Sequence, residues 1–102
     1  MARIEIVREH ERPGGWTFEV DIGGDLEDAA VRRVRLSLAW ADYNLWSPDG
    51  GDAPERIAEA VLAFLLSKKG ARDLRPAFDA AVARLLYPEA DRAIPGLIRR
   101  AR

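Results

Sequence analysis

The chain predicts an α+β domain: a three-stranded antiparallel sheet, made of a hairpin plus a third strand, covered on one face by two to three C-terminal helices. Three observations carry that expectation. Apolar residues alternate singly through the first forty positions, the period of half-buried strands. From residue 54 onward they recur at spacings of three and four, the period of an amphipathic helix. Glycine-rich punctuation at 13–15, 23–24 and 50–51 separates the segments.

In the first strand, Ile4 and Ile6 alternate with Glu5, and Val7 is followed by Arg8 and Glu9. Arg12-Pro13-Gly14-Gly15 is a turn signal, because proline fixes one φ and glycine accepts a positive one. The second strand places Trp16, Phe18, Val20 and Ile22 on one face and Thr17, Glu19 and Asp21 on the other. Residues 24–30 read as a polar connection. The third strand puts Val34, Leu36, Leu38 and Trp40 on one face and Arg33, Arg35, Ser37 and Ala39 on the other. If the second and third strands are antiparallel neighbours, Glu19 and Asp21 face Arg33 and Arg35, and opposite charges help to fix the register.

Residues 41–52 read as a loop of turn formers, among them Asn44, Ser47, Pro48, Asp49 and the 50–51 glycine pair. Asp52-Ala53-Pro54-Glu55 reads as a helix start, with Asp52 as cap, Pro54 in the first turn and Glu55 closing a capping box. Ile57, Val61, Phe64 and Leu65 form the apolar stripe, widened by Ala58 and Leu62. Lys68 and Lys69 suit the negative helix end, and Gly70 is the expected stop. A second helix begins near Pro76 or is capped by Asp79. It presents Phe78, Val82, Leu85 and Leu86, and ends at Tyr87 because Pro88 follows. Residues 88–102 hold two short helical patterns split by Pro95-Gly96. A sheet with one apolar face must bury it, and these helices are the available cover.

A length of 102 residues fits one domain. A net charge of -1 gives no overall field toward nucleic acid or an anionic membrane. The absence of cysteine excludes disulfides, thiolate chemistry and cysteine-held zinc. The first ten residues are charged and alternating, unlike a signal peptide. The longest apolar run, 60–66, is far short of the roughly 18 residues of a membrane span. The expectation is a soluble, cytoplasmic protein with no membrane partner. Abundant arginine and alanine beside only two lysines fit a GC-rich bacterial coding sequence.

The segment Trp40-Ala41-Asp42-Tyr43-Asn44-Leu45-Trp46 stands out chemically. Aromatics with polar tips suit contact surfaces. One reading makes Trp40, Asp42, Tyr43, Asn44 and Trp46 a site for a protein partner; the other makes Trp40 and Trp46 core lids. An exposed sheet edge is a second docking element, open to a partner or to a second copy in a homodimer. An alternative of another class is a nucleic-acid accessory role for Arg32, Arg33 and Arg35 with the C-terminal Arg99, Arg100 and Arg102. A third is a small ligand-binding or carboxylate-based enzyme domain near Asp42.

No catalytic residue, metal site or cofactor is expected. Asp42, Asp49 and Asp52 lack the regular spacing of a calcium loop. His10, between Glu9 and Glu11, suits a solvated turn. Ser37 and Ser47 sit in no nucleophile pattern, and the glycine pairs match neither phosphate-binding fingerprint. The leading expectation is a non-enzymatic interaction module.

Overall fold

In a computed structural model, which describes residues 3–23, 31–70 and 73–100, the alternating segments form an antiparallel ladder. Its strands are β1 (Arg3–Arg12), β2 (Gly15–Gly23) and β3 (Arg32–Ala39), with β1 at one edge. Trp16, Phe18, Val20, Ile22, Val34, Leu36 and Leu38 are buried on one face. Each such side chain contributes about 1.5–3 kcal/mol of burial free energy, which is why a one-residue slip is strongly disfavoured. The fold is α+β, with helices following the sheet.

The other face is charged, and its charges pair as their alternation requires. Glu19 lies opposite Arg35 and Asp21 opposite Arg33. The Arg33 guanidinium donates to both Asp21 oxygens, at 2.7 and 3.0 Å, and these bonds hold the Asp21 carboxyl below the usual range. Arg8 reaches Glu19 at 3.6 Å. The pairing slips between Ile6 and Arg8, so Val7 is the extra residue of a bulge.

Several expectations are corrected. The sheet has four strands: β4 (Ala77–Asp79) runs parallel to β3 at the other edge. Three residues carry no legible alternation, and parallel pairing depends on a long crossover. Residues 40–46 form a helix, α1 (Trp40–Trp46), so Trp40 is not on the β3 face. No glycine or proline interrupts 40–46, and the turn formers act only from Ser47 on. In α2 (Pro54–Lys68) the cap position belongs to Ala53, with no side-chain cap. The Asp52 carboxylate instead accepts the Ser47 hydroxyl at 2.8 Å.

The next helix is short, α3 (Ala81–Leu86), because β4 takes up the residues before it. The cap position belongs to Ala80, not to Asp79, with no side-chain cap; Asp79, the last residue of β4, accepts the Ala81 N–H at 2.8 Å. The expected stripe is split, however: Phe78, in β4, and Val82 are half-buried, and the two leucines are turned outward. Ala83 is buried, while Leu85 is 81% exposed and Leu86 52%. The tail is one helix, α4 (Ala90–Arg100), running through Pro95. Proline removes one intrahelical bond, and burial of Ala90, Ile94 and Ile98 outweighs that loss. The connection 24–30 lies outside the described residues. Among those described, no helix is long and apolar enough to cross a membrane.

Candidate binding surface on helix α1

Two turns of α1 divide the aromatic segment between core and solvent. Asp42, Tyr43 and Trp46 point inward, whereas Trp40, Ala41, Asn44 and Leu45 face out. Trp46 is only 2% exposed, and its indole N–H donates to Asp91 Oδ1 of α4 at 3.2 Å. The Tyr43 hydroxyl donates to the Asp52 carbonyl at 2.6 Å, with the Gly50 carbonyl 3.2 Å away. That bond ties the 47–53 loop to α1.

Trp40 is 46% exposed. Its ring lies 4.5 Å from that of Trp16 and 5.7 Å from that of Tyr43, between centroids. The indole is therefore held on one side and open on the other. Of the five residues singled out in the sequence, Trp40 and Asn44 reach the surface, while Asp42, Tyr43 and Trp46 serve the core. Leu45 is exposed as well; only the helical phase of 40–46 reveals that it shares the outer side.

Behind this surface sits one charged network. Arg84 Nε donates to Asp91 Oδ1 at 2.8 Å, and its Nη1 lies 3.4 Å from Asp42 Oδ1. The arginine thus clasps α1, α3 and α4 together. The Asp42 side chain is 8% exposed. Burial, followed by the Asp79 charge, pushes its carboxyl above the usual value, and Arg84 opposes them. A raised carboxyl pKa means that folding disfavours the ionised form. Stability linked to Asp42 is complete below the ordinary carboxylate range and is lost as pH rises through the raised value. Asp42→Asn keeps the shape and an acceptor oxygen without the charge. It is expected to raise Tm slightly at neutral pH, with the gain fading in acid below the ordinary aspartate range; a pH-independent difference would contradict this.

Among the described residues, the three arginines of β3 do not form one free patch. Arg32 lies opposite Ile22, on the helix side of the sheet, and its guanidinium donates to the Leu74 carbonyl. Arg33 is occupied by Asp21, and Arg35 stands opposite Glu19. The side chains of Arg99 and Arg100, and all of Arg102, lie outside the described residues. His10 is exposed on β1, opposite Thr17.

A shallow cleft of 310 Å³ follows α1, lined by Trp46, Ser47, Asp49, Asp52, Pro95 and Ile98 among others. Asp42 does not line it. Its two carboxylates are engaged in the loop, Asp49 with the Gly51 N–H at 3.0 Å and Asp52 with Ser47. Among the described residues, no three His, Cys, Asp or Glu side chains are grouped to hold a metal ion.

Fold and surface together define a two-layer α+β protein with an aromatic helix seated on the core through Tyr43 and Trp46 and open on its outer side. The sequence matches no protein-family model and no curated protein, and the structure matches no solved structure.

Proposed function

We propose that this chain is a small non-enzymatic interaction module that holds a partner protein against the outer side of α1, with Trp40 as the anchor and Asn44 and Leu45 beside it. The observation that carries this reading is the half-exposed Trp40 indole, packed at a tilt against Trp16. A large aromatic already fixed in place loses little freedom on binding and offers an apolar face with a polar tip. The buried Tyr43 and Trp46 support it by fixing α1 to the core. The exposed leucines of α3 add apolar surface on a helix that Arg84 links to Asp42 of α1.

A photo-cross-linking amino acid at Leu45, introduced in cells, tests the reading. It is expected to capture one recurrent protein that the same reagent at Arg33, on the charged sheet face, does not. Trp40→Ser should abolish the adduct, and binding of the purified pair, while lowering stability by only about 2 kcal/mol. Equal capture from both positions, or adducts indifferent to Trp40→Ser, would defeat the proposal.

A further inference from the structure

The free edge of the sheet carries a self-complementary pattern. β1 is ten residues long and ends the sheet. Its pairing with β2 places Arg3, Glu5, Arg8, His10 and Arg12 on the charged face, and Ile4, Ile6, Glu9 and Glu11 on the helix side. Two copies of an edge strand pairing antiparallel are related by a two-fold axis perpendicular to the sheet, so only residues of the same face meet. With Ile6 on that axis, and Val7 bulged out of the new ladder as it is from the one with β2, Ile6 meets Ile6, and Glu5 of each copy meets Arg8 of the other. One step toward the N-terminus, Glu5 meets Glu5 and Arg3 meets Arg8. One step the other way, Arg8 meets Arg8 and Arg3 meets Arg12; a further step brings Glu9 onto Glu9. Like charges directly opposite are destabilising. A register centred on Ile4 avoids them, with Arg3 against Glu5, but overlaps only residues 3–5 of the strand, so the register centred on Ile6 is the longest without like charges opposed.

Glu5 supplies a second argument. Within its own chain it stands opposite Asp21, a like charge whose carboxylate Arg33 already holds. Glu5 shares the field of Arg33 with Asp21 and Glu19, and Arg8 of a second copy would bring it a cation directly opposite. Ile4 and Ile6 are only half-buried and Val7 is 42% exposed, so apolar surface remains to be covered along the same strand. Charges along an edge ordinarily keep foreign strands away; here their order admits a copy of itself in one alignment.

We propose that β1 pairs antiparallel with β1 of a second copy, Ile6 on the two-fold axis, so that two sheets join into one. This extends the interaction reading from α1 to the sheet edge, and each can fail alone. Sedimentation equilibrium on the full chain is expected to show a dimer. Glu5→Arg should weaken it at least about tenfold by setting arginine against arginine twice, yet leave folding intact, since the new cation faces Asp21 in its own chain. Arg8→Glu should weaken it likewise. Mixed in equal amounts, the two variants should dimerise again, because every position 5 then faces a position 8 of opposite sign. Arg8→Glu also meets Glu19 at home, so circular dichroism checks its fold, and Glu5→Arg alone decides the matter if it unfolds. A monomeric wild type, a dimer indifferent to Glu5→Arg, or two folded variants that fail to rescue each other would overturn the proposal. Trp40→Ser should leave this dimer unchanged, and a monomeric wild type would leave the Leu45 cross-link standing.

Discussion

Trp46→Ala is expected to destabilise the protein by about 3–5 kcal/mol and to lower Tm by more than about 15 °C, read by thermal melting with circular dichroism. Trp46 is among the largest fully buried side chains, so its removal leaves a void under α1. The loss also strips Asp91 of the indole N–H and leaves Arg84 as its remaining side-chain donor. The contrast with Trp40→Ser is the informative part. The two tryptophans bracket one short helix, yet one should behave as core and the other as surface. A Trp46→Ala variant that melts near the wild type would mean that α1 does not seat as described.

Gly15→Ala is the second large effect, expected at about 3 kcal/mol. A Cβ on Gly15 would fall 2.1 Å from the Leu38 carbonyl oxygen and 3.0 Å from Ala39 Cα. Both are backbone atoms, so no rotamer change relieves the clash. The β2–β3 ladder would open where Gly15 meets Ala39, beside the Trp40 N–H bond to the Gly14 carbonyl at 2.9 Å. The start of α1 would be disturbed with it. Gly23→Ala is the control, because its Cβ meets nothing within 4 Å and should change stability by less than about 0.5 kcal/mol. Urea unfolding of the two variants side by side separates a local clash from a general intolerance of alanine at strand ends.

The strands were legible because the sheet buries one face, and a buried face leaves no choice but alternation. Phe18, Val20, Leu36 and Leu38 fell where that rule put them. The opposite charges of β2 and β3 even indicated the register that Asp21 and Arg33 adopt. Helix α2 was legible for the same reason at a different period. The bulge at Val7 was not, since an extra residue changes which later side chains share a face without changing the composition of the strand. Nor was β4, whose three residues become a strand only because the crossover returns the chain beside β3.

The candidate surface divides the same way. Sequence alone marked 40–46 as rich in polar-tipped aromatics, but it could not sort them, because the turn formers of 47–51 made the whole stretch look irregular. Once Trp40 starts a helix, the 3.6-residue turn sends Tyr43 and Trp46 to one side and Trp40 and Leu45 to the other.

By itself, the order of residues determined which segments alternate, which wind, and which sheet face is greasy. These are local periodicities, enforced wherever one side of an element leaves water. Tertiary structure alone decided that Asp42 is buried beside Arg84, that Leu85 is exposed, and that Arg32 finds the Leu74 carbonyl. Each of those depends on which distant element arrives opposite, and arrival is a matter of packing the whole chain at once.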